Sequence, residues 1–312
     1  MKTFKNIMDL MKFFKTEEFC HNFLKDMFWG KERENIKCPR CGSCHITEFT
    51  DVTKNRCKDC KLEFSIRKNT IFDNSKIPLQ KWFMVIFLVN SNKRGTSSHD
   101  IARKVGITQK SAWFMVHRIK NADGFSILNK EFQGTVEIDE AYIGGLEGNR
   151  HAKDKKETGE KEKTVVLGMV NRDTGCVKAM KVPSAEKDFL LPKINMTVKK
   201  GSTIITDTYQ AYKDLKKNYK YKSVKHSAGE YVRIDAKTAV KIHTNSVEGF
   251  WAIVKRTING THHWVSKKHI QSYLNEMSFR YDTRYFNDNE RFMFFLQKAF
   301  GKLTYEMLCQ KS

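Results

Sequence analysis

Three acidic residues of this sequence, Asp139, Asp207 and Glu248, lie where a carboxylate can reach the end of a regular element. Asp139 and Asp207 each follow a strand-like run of residues, and Glu248 lies near the start of a helical pattern. Carboxylates that converge in a strongly basic protein commonly hold divalent cations against phosphates. The three acids therefore predict a cation site that binds phosphate groups.

Each acid also has a structural explanation when it is taken alone. Asp139 could cap a turn, and Asp207 could be the N-cap of a helix over 208–215. Glu248 would occupy the third position of a capping box if Asn245 were the N-cap. These explanations stay open for the individual residues.

The neighbours of the acids favour chemistry over capping. Glu137 and Asp139 share one face of their strand, opposite its apolar residues, which predicts a polar face around Asp139. Seven residues make almost two helical turns, so Lys255 lies on the same helix face as Glu248. A metal ligand beside a phosphate-binding lysine is what a nuclease or a DNA strand transferase requires.

The charge of the chain predicts a nucleic acid partner. It has 57 Lys and Arg against 35 Asp and Glu, a net charge of +22, and a polyanion would relieve this self-repulsion. The longest apolar run, Trp82–Val89, is far shorter than the ~20 residues of a membrane span, and residues 1–14 lack a signal-peptide core. We therefore expect no membrane partner and a cytoplasmic, nucleoid-associated protein in a prokaryotic host.

Four of the eight cysteines form two CxxC pairs, made by Cys38, Cys41, Cys57 and Cys60. In a reducing compartment, this spacing indicates a structural Zn²⁺ site, because CxxC turns direct both thiolates to one ion. A ribbon this short lacks a core without the metal. Cys44 and His45 are close enough to be alternative ligands, but they break the paired pattern.

Residues 97–120 have the proportions of a helix-turn-helix, with Gly106 at the turn and Thr108 as the cap of the second helix. In such motifs the exposed start of the second helix reads DNA bases. Here that start consists of Gln109, Lys110 and Ser111. An ordinary helical hairpin would show the same pattern, and the basic composition favours DNA contact.

The remaining pattern predicts an α/β fold, since strands expected over 134–143, 164–171, 176–182, 202–207 and 221–226 alternate with helices. We expect five regions: N-terminal helices (1–35), a zinc ribbon (36–70), a helix-turn-helix region (78–122), a catalytic domain (133–285) and a helical tail (286–312). Within the catalytic domain, residues 147–164 are so highly charged that they predict a mobile loop.

Several motifs, in order, resemble the DDE insertion-sequence transposases with an N-terminal zinc ribbon and an integrase-like (ISXO-type) catalytic domain. They are CPRCG and CKDC in the ribbon, VEIDEAYIGG over 136–145, TD at 206–207 and HTNSVEGFW over 243–251, leading to Lys255 and Arg256. The wider group often has Tyr and Arg where this chain has Lys241 and Thr244. Some relatives use Asn or His as the third ligand, which keeps Asn245 as a lesser candidate.

The resemblance implies a ribonuclease-H-like core, preceded by the zinc ribbon and the helix-turn-helix. In it, Asp139, Asp207 and Glu248 would be the catalytic residues and would hold two Mg²⁺ ions, or Mn²⁺, while Lys255 and Arg256 contact DNA. The partners would be the double-stranded DNA of transposon ends and targets, bound by a homodimer or a higher oligomer.

These expectations lead to one function and two alternatives. The first is a transposase that binds its own terminal inverted repeats, cleaves there and transfers the strand to target DNA. The second is a catalytically inactive DNA-binding protein derived from a transposase. The third is a resolvase or another nuclease that cuts branched DNA without joining ends.

Overall fold

The computed structural model describes residues 4–32, 35–49, 54–122, 131–144, 163–225, 229–236, 239 and 241–310. The charged loop expected over 147–164 lies, apart from its last two residues, outside the described residues. The chain divides into two compact units, one of Met1–Phe125 with Tyr285–Ser312 and the other of Ser126–Arg284. The C-terminal helices thus belong to the same unit as the N-terminal ones, and the finer division into five regions stays a prediction.

The described residues form helices and strands in the following chain order. The α-helices are α1 (Ile7–Phe13), α2 (Glu17–Trp29), α3 (Leu79–Ser91), α4 (Ser98–Val105), α5 (Gln109–Lys120), α6 (Lys187–Thr197), α7 (Asn245–Thr257), α8 (Ile270–Asp282), α9 (Asp288–Leu296) and α10 (Tyr305–Cys309). The strands are β1 (Ile46–Glu48), β2 (Asn55–Cys57), β3 (Glu63–Phe64), β4 (Thr135–Ile143), β5 (Thr164–Asn171), β6 (Val177–Lys181), β7 (Thr203–Asp207), β8 (Lys220–Val224), β9 (Arg233–Ile234) and β10 (Lys241–Ile242). A 3₁₀ helix spans Gln210–Lys217, and a π-helical turn spans Ile258–His262.

The first unit is built around a cluster of phenylalanine rings. Phe14, which is fully buried, packs its ring 5.0 Å from Phe23 of α2 and 4.6 Å from Phe83 of α3, centroid to centroid. Phe4 and Phe292 of α9 lie in the same cluster, 5.4 Å apart. Aromatic burial of this kind holds the N-terminal helices, α3 and α9 together.

A carboxylate from one helix caps another in this unit. Glu17 of α2 accepts hydrogen bonds from the amide of Leu79 at 2.9 and 2.7 Å, at the start of α3. Glu17 is also paired with the guanidinium of Arg67. Pro78, the N-cap of α3, makes no side-chain cap. Glu17, 62 residues before Leu79, supplies the acceptor that the Leu79 amide lacks within its own helix.

The second unit contains a five-stranded mixed sheet in the order β6-β5-β4-β7-β8. Strands β5 and β6 run antiparallel to their neighbours, whereas β7 is parallel to β4, and β8 is parallel to β7. The strands expected from alternation begin and end within about two residues of those observed, as sequence patterns commonly allow.

Helices cover both faces of this sheet. On one face, Val136 and Ile138 of β4 pack in a core with residues of α6 and the 3₁₀ helix. On the other face, Ala141 and Ile143 pack in a core with α7 and α8. Because alternate residues of a strand point to opposite faces, Glu137 and Asp139 lie on the α7 side. The polar face expected around Asp139 is therefore covered by a helix.

Two of the capping explanations from the sequence are wrong. The N-cap of α7 is Thr244, and Asn245 is the first helical residue, so Glu248 does not complete a capping box with Asn245. The helix after Asp207 is 3₁₀ and begins at Gln210 with Tyr209 as its N-cap. Asp207 instead accepts a hydrogen bond from the amide of Tyr209, at 3.0 Å. Among the described residues, no helix is long and apolar enough to cross a membrane.

Asp282 gives a stability prediction for the second unit. Its carboxylate accepts the amide of Val177 at 2.8 Å, and burial raises its pKa to about 7. The pKa of Asp282 is therefore higher in the folded protein than in the unfolded one. The protonated carboxyl contributes stability that is complete below pH ~4 and is lost as the pH rises through about 7. Asp282→Asn keeps the acceptor without the charge.

As the pH rises from 4 to 7, wild type should lose stability relative to Asp282→Asn. We expect the difference between their free energies of unfolding to increase, in favour of the variant, by up to about 1.4 kcal/mol per pH unit. Urea titrations at pH 5 and pH 8 measure this difference. Asp188→Asn, at an exposed position of α6, is the control and should show no such trend. Equal differences at both pH values would contradict the prediction.

Candidate functional site

The four predicted metal-binding cysteines lie together in the three-stranded β1-β2-β3 ribbon. Their sulfur atoms are all within 4.8 Å of one another, with 3.5 Å between Cys38 and Cys60 and 3.6 Å between Cys41 and Cys57. A tetrahedral zinc with Zn–S bonds of ~2.3 Å separates its sulfurs by about 3.8 Å. The group therefore fits a structural Zn²⁺.

The ribbon favours the thiolate form at two of the four cysteines, Cys38 and Cys57. Burial by itself would raise the pKa of Cys38, but hydrogen bonds from the amides of Cys41 and Arg40 outweigh it and lower this pKa to about 6. The amides of Cys60 and Asp59 likewise lower the pKa of Cys57. At Cys41 the amide of Ser43 acts in the same direction, but burial and the three neighbouring thiols outweigh it and raise the pKa. Backbone amides that stabilise a thiolate favour metal binding, because the thiolate is the ligand. His45 instead contacts Asp59, 3.3 Å away.

The three predicted catalytic acids are neighbours in the second unit. Asp139 lies on the central strand β4, opposite Gly168 of β5. Asp207 ends the adjacent parallel strand β7, whose register pairs Glu137 with Ile205. Two residues further along, the same register brings Asp139 level with Asp207. Glu248 projects from α7, which covers this face of the sheet.

The charges of these acids act on one another. Burial, and then the negative charges of Glu140, Asp207 and Glu248, raise the pKa of Asp139 to about 7. Among the described residues, the acids do not form as tight a ligand group as the four cysteines. The carboxylates repel one another, and a divalent cation would relieve this repulsion.

The sequence interpretation missed Glu140 as part of this site. Its carboxylate accepts the hydroxyl hydrogen of the buried Tyr212, which packs on the opposite face of the sheet from α7. Burial, opposed by the hydrogen bond from Tyr212, raises the pKa of Glu140, and the charge of Asp207 adds to this rise. The only signal in the sequence was a second acid directly after Asp139.

The start of α7 is held by side chains from outside the helix. The amides of Ser246 and Val247 donate to Oε2 of Glu137, at 2.8 and 3.1 Å, and the hydroxyl of Ser246 donates to Oε1 at 2.9 Å. The amide of Asn245 donates to Nδ1 of His243 at 3.3 Å. The first three amides of α7 are thereby satisfied.

Arg172 supports the same arrangement. Its Nε donates to Oε1 of Glu137 at 2.5 Å, and its two Nη groups donate to the carbonyls of Lys241 and His243 at 2.5 and 2.7 Å. The segment before α7 is thus fixed by one guanidinium. Sequence reasoning placed Glu137 on a polar face but found neither its partners nor Arg172.

Gly168 allows α7 to approach the sheet beside Asp139. A Cβ atom at this position would lie 2.4 Å from Cζ2 of Trp251 on α7, and the indole ring takes the space that a side chain would fill. Trp251 is buried in the core between this helix and the sheet. Because Gly168 of β5 has no side chain, α7, which bears Glu248, can pack close to the sheet beside Asp139.

Replacing Gly168 by alanine should therefore destabilise the second unit. Overpacking of this kind typically costs about 1–3 kcal/mol, which a urea titration measures. Gly249→Ala, on the helix α7 that bears Trp251, is the control. Its Cβ would meet no atom within 4 Å, and alanine inside a helix is more stable than glycine by roughly 0.5–1 kcal/mol. Equal stability of Gly168→Ala and wild type would contradict the close packing.

The other predicted DNA-contacting residues lie on exposed helix surfaces. Lys255 and Arg256 are exposed on α7, and Lys255 is two turns beyond Glu248. Arg256 donates to the carbonyl of Ala252 at 3.1 Å. Both cations face solvent on the helix that carries the third acid.

Helices α4 and α5 are joined by a tight turn, as expected. Gly106 has a left-handed conformation (φ 66°), and Thr108 caps α5 by accepting the amide of Ser111 at 3.2 Å. Gln109 donates to the hydroxyl of Ser98 at 3.0 Å, and the amine of Lys110 lies 4.8 Å from the ring centroid of Tyr305. The three predicted base-reading residues therefore already have partners within the chain, since Ser111 also contacts the Thr108 hydroxyl.

Comparisons with known proteins match two parts of the chain to transposase domains. Residues 131–282 match the model of the ISXO2-like transposase domain, and residues 15–63 match the model of the transposase zinc-ribbon domain. Together the two matches cover nearly two thirds of the chain. A protein of Halobacterium salinarum, described as an uncharacterized protein in transposable element ISH50, is 24% identical in an alignment of 285 residues, and the match covers 86% of this chain and 92% of that protein.

Proposed function

The chain belongs to the insertion-sequence transposases that carry a transposase zinc ribbon and an ISXO2-like transposase domain, and from this premise we propose that it is an active transposase. It binds the terminal inverted repeats of its own element, cleaves there and transfers the strand into target DNA. The observation that carries the proposal is that Asp139 and Asp207 lie on adjacent parallel strands, close enough to each other and to Glu248 for the charges of Asp207 and Glu248 to raise the pKa of Asp139.

The proposal includes a ribonuclease-H-like fold for the second unit. Counted from β4, its strands lie in the order 3-2-1-4-5, with the first three antiparallel and the last two parallel to the first. Helices on both faces of the sheet support the same fold. The first strand, the fourth strand and α7 then supply the three acids.

Asp139, Asp207 and Glu248 would hold two divalent cations. Their donor atoms are all carboxylate oxygens, which suit Mg²⁺ and also Mn²⁺. When bound, the ions stabilise the charges that develop on the attacking and leaving oxygens of an in-line displacement at phosphorus. Glu140, held by Tyr212, adds to the negative charge that attracts cations to this place.

The exposed cations supply the contacts to DNA. Lys255 and Arg256 would bind phosphates of the transposon end near Glu248, since Lys and Arg are the usual phosphate ligands. Gln109, Lys110 and Ser111 would read bases from the start of α5, after releasing their partners within the chain. The net charge of +22 supports double-stranded DNA as the partner, and a homodimer or higher oligomer would pair the two ends.

The test is an assay with the purified full-length chain, DNA carrying its terminal inverted repeats, and Mg²⁺. Products cut at the repeat ends and joined to target DNA support the proposal, and EDTA should abolish them. Binding to the repeats without cleavage at any Mg²⁺ or Mn²⁺ concentration would contradict it and indicate a DNA-binding protein without catalysis. Cleavage of branched DNA without joining would indicate a nuclease of the resolvase type.

A further inference from the structure

We propose that Glu137 is a positioning residue, which fixes the start of α7 against β4 and thereby sets the position of Glu248 relative to Asp139. The proposal rests on the proposed function, in which these two acids hold divalent cations. Glu137 itself would touch neither cation nor DNA. Its effect would be on how tightly the site binds the cation.

Glu137 connects the two elements that carry these acids. It lies on β4, two residues before Asp139 and on the same face. Its side chain is fully buried. Its two carboxylate oxygens accept hydrogen bonds from the amides of Ser246 and Val247 and from the hydroxyl of Ser246. A single side chain thus joins the catalytic strand to the first turn of α7.

Near its own start, among the described residues, the helix has a side-chain cap only at its first amide, that of Asn245, which donates to Nδ1 of His243; the next two amides donate to Glu137. Thr244, the N-cap residue, makes no side-chain cap to α7. Its hydroxyl donates instead to Oε1 of Glu248, at 2.8 Å. Glu137 therefore holds the start of α7. Thr244, directly before the first residue of α7, holds the carboxylate of Glu248.

The cost of burying the Glu137 carboxylate is offset from two sides. The N-terminus of α7 provides amide donors and the positive end of the helix dipole. Arg172 provides a guanidinium that also binds the carbonyls of Lys241 and His243. A neutral side chain at position 137 would weaken both interactions, and the first turn of α7 would lose its fixed position.

The main experiment compares Mn²⁺ binding by zinc-loaded, full-length wild type and Glu137→Gln without DNA, using electron paramagnetic resonance of free Mn²⁺. Glutamine has the same size, but its amide nitrogen would face donors on Ser246 or Arg172. Loss of the groups that orient metal ligands typically weakens binding about 10–100-fold. Because Glu137 orients Glu248 through the start of α7, we expect a Kd increase of about 10-fold, at the low end of this range. The Mg²⁺ concentration for half-maximal cleavage should rise by a similar factor, while the rate at saturating Mg²⁺ falls less.

A second variant keeps the test decisive if Glu137→Gln does not fold. Glu137→Asp retains the charge opposite Arg172 but is one methylene too short to reach both amides of α7. A folded second unit with weaker Mn²⁺ binding in either variant supports the proposal. Wild-type affinity in both variants overturns it. Unfolding of the second unit in both also overturns it, because Glu137 would then hold the whole unit and not one helix.

The matched control is Glu17→Gln. Glu17 caps α3 with the same chemistry, a carboxylate that accepts a helix amide and pairs with an arginine, but it lies in the other unit. We expect Glu17→Gln to lower the stability of the first unit and to leave the Mn²⁺ Kd within about twofold of wild type, since it leaves the partners of the acids unchanged. A Kd increase as large as that of Glu137→Gln would overturn the proposal.

Failure of this inference can be told apart from failure of the proposed function. If Asp139→Asn binds Mn²⁺ as wild type does, the acids hold no cation, and both proposals fall. If Asp139→Asn loses Mn²⁺ while the position 137 variants bind it normally, the proposed function stands, and only the positioning role of Glu137 is overturned.

Discussion

Asp139→Asn is expected to abolish metal-dependent cleavage and strand transfer and, at the same time, to stabilise the folded second unit. Loss of a partner of a metal ligand already costs up to about 100-fold in activity, so loss of a ligand should cost more. Strand-transfer assays on terminal repeat DNA measure the first effect. Urea titration at pH 8 without divalent cations measures the second.

The stabilisation follows from the pKa of Asp139, which burial and the charges of Glu140, Asp207 and Glu248 raise to about 7. Because the folded pKa is higher than the unfolded one, the contribution of this group to stability is present below pH ~4 and is lost as the pH rises through about 7. At pH 8 the ionised carboxylate therefore disfavours folding. Asparagine removes that charge, and a gain of about 1–4 kcal/mol is expected.

Divalent cations should reverse the order of stability. Mg²⁺ binds the folded wild type and raises its melting temperature by mass action, but it should have little effect on Asp139→Asn. Opposite effects on stability and activity are typical of functional residues and not of structural ones. Mg²⁺ stabilisation of both proteins to the same extent would contradict a role for Asp139 as a ligand.

Asp282→Asn is the matched control. Asp282 lies in the same unit, and burial also raises its pKa to about 7, but its carboxylate binds the amide of Val177 away from the three acids. This variant should gain stability at pH 8 as Asp139→Asn does, with strand transfer unchanged. Loss of strand transfer in both variants would indicate that buried charge in this unit affects activity only through the fold.

Features set by local sequence were predictable in this chain. Alternation located the five strands of the sheet, and Thr108 before α5 was correctly predicted as a cap. The two CxxC pairs identified the four sulfur ligands that the structure brings within 4.8 Å. Each of these signals is contained in a few adjacent residues or in a fixed spacing, so it can be read without tertiary structure.

Features set by distant residues were not predictable. Glu137 caps a helix 109 residues away in sequence, and Tyr212 binds Glu140 across 72 residues. Trp251 packs over Gly168 in place of a side chain. The capping box assigned to Asn245 was wrong because the N-cap of α7 is Thr244, and the amides of Ser246 and Val247 are satisfied by Glu137 of another strand. Local rules describe a helix start well only when the cap comes from the chain next to it.

Replacing Cys57 by serine is expected to remove the zinc and to unfold the ribbon. The buried apolar core of the ribbon is small and includes two of the ligands, Cys38 and Cys57, beside Ile36, Ile46 and Phe64. Such a core cannot offset the entropy of ordering the chain. Structural zinc in small domains contributes about 10–16 kcal/mol of apparent binding free energy, so the ribbon should not fold without it.

The measurement is zinc content per chain together with hydrogen-exchange mass spectrometry of the full-length protein. Wild type should bind one zinc, whereas Cys57→Ser should bind none and should lose protection in β1, β2 and β3, with protection in the β4–β8 sheet retained. Cys44→Ser is the control, because Cys44 is an exposed neighbour outside the four-sulfur group. Loss of zinc in Cys44→Ser, or a protected ribbon in Cys57→Ser, would show that the metal is held by a different ligand set.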